Sequence, residues 1–151
     1  MQRSFILLLF LGLVRATLQN YTVDDASPDI VYDQPTFQCN TTICPDGSPE
    51  GLFNKSTTLT FGSITFSFTG TAFYGFLDLV GACSFNVDGN QRPTLNNMTP
   101  SDAEQETLIV SKSDMANGPH TLVVAPITNG TIIGFDHLIY TYVKVRARAI
   151  C

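Results

Sequence analysis

The 151 residues carry 13 acidic against 8 basic side chains, a formal net charge of −5, and no basic run interleaved with aromatics occurs. A chain of that sign repels phosphate backbones, which argues against nucleic acid as a partner. The length suits one hydrophobic core, and no segment reaches the roughly 20 consecutive apolar residues of a bilayer-spanning helix, so the mature chain is expected to lack a membrane span.

The first 16 residues have the layout of an export signal: Arg3 supplies a positive start, Phe5 to Val14 form the apolar run, and Val14-Arg15-Ala16 offers small residues around a cleavage point. Residues 17–151 are then a single secreted, extracellular domain. Loss of Arg3 and Arg15 leaves six basic against thirteen acidic residues, a net charge near −7. Five Asn-x-Ser/Thr sequons, at Asn20, Asn40, Asn54, Asn97 and Asn129, agree with passage through the secretory pathway, since a residue carrying a glycan must lie on the surface.

Asp24, Asp25 and Asp29 cluster where the mature domain opens. Such oxygens suit Ca²⁺, although on composition alone a solvated acidic entry segment is the simpler explanation. Cys39 and Cys44 flank Thr41-Thr42 just before the turn signal Pro45-Asp46-Gly47, and we expect them to pair. Cys83 is left to Cys151 by elimination. In the chain-entropy account the long bridge contributes roughly 4 kcal/mol and the short one roughly 2. Pairing of Cys151 between chains, or a truncated chain, stays open.

Beyond the cysteine loop, apolar and polar residues alternate with period two, the signature of half-buried strands. Strands are predicted at Thr57 to Phe61, at Ile64 to Thr69 with Ile64, Phe66 and Phe68 inward, and again from Thr71 to Phe76 after a bend or bulge at Gly70. Cys83, Phe85 and Val87 alternate up to Asp88-Gly89, a hairpin turn. Thr107 to Val110, His120 to Ala125 and Phe135 to Val145 complete the set, with turns at Asn117-Gly118-Pro119 and Thr128-Asn129-Gly130; Glu104 to Thr107 alternatively begins a helical turn. Short strands without intervening amphipathic helices define an all-β fold, a β-sandwich of jelly-roll type.

Catalytic constellations are absent from the pattern. The chain has two histidines, His120 and His137, and no Gly-x-Ser-x-Gly elbow. Both histidines are read as structural, His120 at a strand entrance and His137 within a strand beside Asp136. The cysteines are better used in disulfides than as zinc ligands in an oxidising compartment, and candidate carboxylate pairs for glycosidase chemistry occur in any acidic protein. With no Trp, stacking on sugar rings falls to Tyr and Phe. Of Tyr21, Tyr32, Phe37, Tyr74, Tyr140 and Tyr142, the pair beside the short disulfide loop, Tyr32 and Phe37, is the predicted ligand platform.

The run Tyr21-Thr22-Val23-Asp24-Asp25-Ala26-Ser27-Pro28-Asp29-Ile30-Val31-Tyr32 resembles the opening of a group of secreted or membrane-anchored fungal proteins, chiefly from basidiomycetes, that have a galactose-binding-like β-sandwich domain. Phe68-Thr69-Gly70-Thr71-Ala72-Phe73-Tyr74-Gly75-Phe76, Val87-Asp88-Gly89, and Gly118-Pro119-His120-Thr121-Leu122 with Phe135-Asp136-His137-Leu138-Ile139-Tyr140 follow in the same order. The resemblance implies a galactose-binding-like jelly roll and, by likeness to carbohydrate-binding modules of that architecture, a structural calcium held by Asp24, Asp25 and Asp136. The chain departs from the group where a Trp commonly follows the Tyr of the opening motif; here Phe37 and the cysteine loop follow Tyr32.

The expected function is thus a secreted binding module without catalysis, for glycans such as a cell-wall polysaccharide. The alternatives are a structural or adhesive ectodomain that contacts proteins and, third, a secreted hydrolase.

Overall fold

Ile64, Phe66 and Phe68 alternate with hydroxyl-bearing residues, and burying them requires a second apolar face. That face comes from Phe73, Leu77 and Leu79 and from Ile133, Phe135 and Leu138, all nearly inaccessible. The computed structural model describes residues 14–44, 51–95 and 108–147. Its strands are β1 (Val14–Asp24), β2 (Ile30–Tyr32), β3 (Thr36–Asn40), β4 (Ser56–Thr60), β5 (Ile64–Gly70), β6 (Ala72–Val80), β7 (Ala82–Val87), β8 (Asn90–Leu95), β9 (Leu108–Lys112), β10 (Gly118–Pro126) and β11 (Ile132–Ala147). A 3₁₀ turn at Phe53–Lys55 precedes β4.

The strands form two antiparallel sheets packed face to face, an all-β sandwich of jelly-roll type. One sheet runs β3-β4-β11-β6-β9, with β1 also paired to β11; the other runs β2-β5-β10-β7-β8. Strand β11 is long enough to serve two neighbourhoods. Its first part pairs with β4 and β6, and the ladder with β6 ends at Thr141↔Ala72. Beyond that point its ladder partner is β1 alone, through Val14↔Ala147, so the two strands project past the sandwich as a ribbon.

Several expectations are met, with boundaries shifted or longer. The predicted strands at 57–61, 64–69, 71–76, 107–110, 120–125 and 135–145 correspond to β4, β5, β6, β9, β10 and β11. Asp88 and Gly89 both take positive φ, 54° and 82°, as a two-residue hairpin turn requires. Gly130 has φ 79° in the predicted turn at 128–130.

Other expectations need correction. Gly118 and Pro119 lie inside β10 rather than in a turn. Proline is tolerated there because residues 118–121 pair only with β5 and the β7 ladder starts at Leu122, so no second ladder needs its missing N–H. At Gly70, the last residue of β5, the expected bend forms, at Thr71 before β6, and not a bulge. Gly70 is needed because a Cβ there would collide with the Thr141 carbonyl oxygen, which accepts the Thr71 N–H at 2.7 Å. Register shifts occur instead at Phe135/His137 and Gly75/Phe76. Strands β1, β2, β3 and β8 were not predicted. Strand β1 runs through the expected cleavage point, and cleavage after Ala16 leaves the pairs from Thr17↔Lys144 inward in place.

Cys39 and Cys44 are disulfide-bonded, with Cα atoms 5.4 Å apart. Cys83 is buried in β7, and burial pushes its thiol up to about 11; its expected partner Cys151 lies outside the described residues, as do Asn97 and the segment 104–107.

Candidate functional site

The site is set by parity along the β1–β11 ladder. Val23 and Leu138 face each other in the core. Side chains two residues further out share that face, so Tyr21↔Tyr140 and Gln19↔Tyr142 continue the inner surface where the ribbon leaves the sandwich. With the ends of β5 and β10 opposite, the ribbon encloses a cleft of about 830 Å³ lined by Tyr21, Tyr140, Tyr142, Asp29, Ser67, Thr69, Asn117 and Thr121 among others.

The tyrosines have different tasks. Tyr140 is anchored: its ring lies 5.9 Å from Phe66, 5.5 Å from Phe68 and 5.5 Å from Tyr21, and burial raises its phenol above the usual range. Tyr142 donates to Gln19 Oε1 at 2.9 Å, which fixes its ring against the ribbon. Tyr21 is half exposed. Three phenolic rings beside exposed Ser67, Thr69, Asn117 and Asp29 give a concave surface with apolar faces and several polar groups open to solvent, as a polyhydroxylated ligand requires.

One wall is braced by Asp88 and His120. Asp88 Oδ1 accepts the Thr121 N–H at 2.9 Å, and Oδ2 lies 2.7 Å from His120 Nδ1. His120 Nε2 lies 2.8 Å from the Ala116 carbonyl oxygen. Both ring nitrogens therefore face acceptors, an arrangement that favours imidazolium. The Ala116 carbonyl and then Asp88 raise the histidine, while the Thr121 N–H and then His120 lower the carboxyl. The ring ties the β7–β8 turn to the segment before β10.

The predicted platform does not assemble. Tyr32 is in the other sheet from Phe37, and its hydroxyl donates to the Asp25 carbonyl at 3.0 Å. Phe37 is on an edge strand, half exposed, level with Leu59, Gly134 and Asp78 on the outer face. Proximity in sequence misled because the chain changes sheets between Tyr32 and Thr36.

Asp24, Asp25 and Asp136 each bond to the segment 53–58, in a corner formed by the end of β1, the 3₁₀ turn, the start of β4 and the irregular register of β11. Asp25, 1% exposed, accepts from Ser56 Oγ at 2.8 Å and Thr58 Oγ1 at 2.7 Å; burial, only partly opposed by these hydroxyls, raises its carboxyl. Asp136 Oδ1 accepts the Phe53 N–H at 2.9 Å and Oδ2 lies 3.0 Å from His137 Nδ1. The His137 ring is stacked on Phe76 at 4.2 Å and flanked by Phe53 at 5.0 Å. Asp24 Oδ2 accepts from Asn54 Nδ2 at 2.7 Å, and Oδ1 is buried without a partner. Among the described residues no three His, Cys, Asp or Glu side chains are arranged to hold a metal ion. The residues therefore do not fit the expected calcium: the oxygens of Asp25 and Asp136 are already engaged by protein groups, and hydrogen bonds close the corner.

Of the sequons, Asn20 is exposed, with its Oδ1 accepting from Thr141 Oγ1, and Asn129 is exposed in its turn. Asn40 Oδ1 accepts from the Thr42 and Ile43 N–H groups within the disulfide loop. Asn54 is exposed, but its Nδ2, the atom that carries an N-glycan, is donated to Asp24.

Sequence reasoning missed the cleft, although it named three of its tyrosines. The usable signal was Leu138-x-Tyr140-x-Tyr142: alternation carries the core face straight into two exposed-capable phenols.

No protein-family model and no curated protein matches the sequence. Among solved structures, the chain is similar to a family two carbohydrate esterase from Cellvibrio japonicus, at 12% identity over 89% of this chain and 37% of that one, with a TM-score of 0.57. It is also similar to the Agl-KA catalytic domain, at 10% identity over 97% of this chain and 31% of that one, with a TM-score of 0.53. The chain thus spans about a third of the length of these two proteins, and the likeness is one of fold. A looser likeness, TM-score 0.45 at 10% identity, joins 87% of this chain to the whole CBM36-1 domain of a multidomain xylanase from the hindgut metagenome of Trinervitermes trinervoides.

Proposed function

We propose that this chain is a secreted, non-catalytic module that binds carbohydrate in the tyrosine cleft. The observation that carries the proposal is the convergence of Tyr21, Tyr140 and Tyr142 from two strands onto one concave surface with open hydroxyl, amide and carboxylate groups. Sugar rings present apolar faces and hydroxyl edges, and the cleft offers both complements. Fold likeness is a weak warrant for function, so the cleft rather than the sandwich bears the argument; the carbohydrate esterase in which a similar fold occurs is in keeping with it. The engagement of both His120 nitrogens by Asp88 and Ala116 supports binding without turnover. The signal-like residues 1–16 and the exposed sequons support secretion, and the resemblance to the basidiomycete group supports a cell-wall or host-surface polysaccharide as the source of the glycan.

The test is a glycan-array screen of the secreted protein, followed by incubation with each bound glycan and chromatography of the products. Selective binding with no new product is expected. Release of shorter sugars or of an acyl group would replace this reading with the hydrolase. A folded protein that binds no glycan but retains a specific protein would favour the ectodomain reading, for which Leu18, Phe37, Val80 and Val145 on the outer sheet face are exposed apolar contacts.

A further inference from the structure

The inner face of the β1–β11 ribbon does not end at the tyrosines. Past Gln19↔Tyr142, the same parity brings Thr17↔Lys144 and then Arg15↔Arg146 onto that face. At about 3.4 Å per residue, Lys144 lies roughly 7 Å and Arg146 roughly 14 Å beyond Tyr142. No Asp or Glu occurs in residues 14–20 or 138–147. Among the described residues neither cation forms a salt bridge, the ion pairs there being those of the two histidines. A chain of net charge −5 thus gathers three cations where its cleft opens.

We propose, resting on the carbohydrate reading of the cleft, that the glycan is acidic: a sugar ring packs on Tyr21, Tyr140 and Tyr142 while an anionic substituent further along the chain meets Lys144 and Arg146. Charge complementarity names the substituent as a carboxylate of a uronate or a sulfate ester. The polarity of the site is directional, because Asp29 stands in the cleft and the cations stand along the ribbon. A neutral residue therefore occupies the cleft and the charged one lies outward. Cleavage after Ala16 removes Arg15 but leaves an α-ammonium on Thr17, directly opposite Lys144, so the mature ribbon keeps three positive groups. The geometry disfavours a lipid surface. The exposed apolar residues of the ribbon, Leu18 and Val145, are on the opposite face from the cations, whereas membrane-surface binding needs apolar insertion beside the charge.

The experiment uses the full chain secreted with its own N-terminal segment. It is titrated at low salt against oligosaccharides of glucose, galactose and mannose, each beside its uronate and its 6-sulfate counterpart of equal length. The acidic member of at least one set is expected to bind about tenfold more tightly than the neutral one, the worth of one charge-assisted contact, and the preference is expected to shrink in 0.5 M salt. The K144Q/R146Q variant, altered only at side chains outside the core, should bind both members alike at the neutral affinity. The uronate and sulfate arms decide which anion is read. Equal binding of neutral and acidic members by the wild type, or a preference that survives K144Q/R146Q, overturns the proposal and leaves the cleft reading standing. Acidic binding that persists in Tyr142→Ala overturns it as well, since the ribbon then acts as a bare polycation. No binding of any member overturns both readings.

Discussion

The acidic corner and the tyrosine cleft both depend on β1 reaching β11, yet their polar groups are used in opposite ways. In the corner, Asp25 and Asp136 are almost inaccessible, and each of their oxygens faces a hydroxyl, an N–H or an imidazole nitrogen. In the cleft, Ser67, Thr69, Asn117 and Asp29 are exposed. A polar cluster that satisfies itself inside the protein holds the fold together. One that keeps its groups open beside aromatic faces is available to a ligand. Acidic residues in sequence do not distinguish the two cases, because the distinction lies in which donors the fold delivers to them.

The sharpest way to break the comparison is Asp25→Ala. The Ser56 and Thr58 hydroxyls would lose their acceptor in a buried site, and we expect a loss of about 3 kcal/mol in urea unfolding, with glycan affinity of the folded fraction unchanged. A loss under 1 kcal/mol would mean that the corner is not structural.

The reciprocal substitution, Tyr142→Ala, should weaken glycan binding by about tenfold or more and lower stability little, because the ring is outside the core cluster.

A third prediction concerns pH. Asp78 stands beside Gly134, where a Cβ would come within 3.2 Å of the Asp78 Cβ. Burial, and then Asp136, push its carboxyl up to about 6. A raised carboxyl binds its proton more tightly in the folded chain than in the unfolded one, so stability falls as pH rises from about 4 to 6 and then levels. Asp78→Asn should remove that fall and stabilise the protein at pH 7.5 by roughly 1–2 kcal/mol after allowance for solvent screening, with no gain at pH 4. A stability that rises between pH 4 and 6 would contradict this account of Asp78.

His120 adds a smaller effect of the same sign. Its raised proton affinity contributes stability that is present below about pH 6.5 and lost as pH rises through its folded value. His120→Gln should therefore lower the melting temperature by more at pH 5 than at pH 8.5. The smallest expected effect is that of calcium: with the corner closed by protein donors, chelator and added Ca²⁺ should give the same melting temperature. A clear rise with Ca²⁺ would restore the metal to the corner, with buried, unpartnered Asp24 Oδ1 as its natural ligand.

Much of the sandwich was legible because its core strands announce themselves locally. Ile64, Phe66 and Phe68 alternate with Thr65, Ser67 and Thr69, and Asp88-Gly89 closes its hairpin with two positive φ angles. The Cys39–Cys44 bridge followed from spacing. Strand β1 was hidden because its first residues overlap the stretch read as an export signal, and β3 because it runs into the cysteine loop. The cleft was beyond local reasoning altogether. Tyr21 meets Tyr140 across more than a hundred residues, and Ser67, Thr69 and Thr121 arrive on two further strands. Alternation states which face a side chain takes, but only the pairing of β1 with β11 states that this face stands over a hollow. Tyr32 and Phe37, chosen together for their closeness to the short disulfide loop, show the cost of treating neighbours in the chain as neighbours in space.

The claim that sugar is held by the cleft is tested most directly by calorimetric titration of one array-selected glycan into the wild type, Tyr142→Ala and Phe37→Ala, each first shown to be folded. We predict that Phe37→Ala binds as the wild type does and that Tyr142→Ala loses at least tenfold in affinity. Retained binding in Tyr142→Ala with loss in Phe37→Ala would contradict the cleft and move the site to the outer face of the sheet.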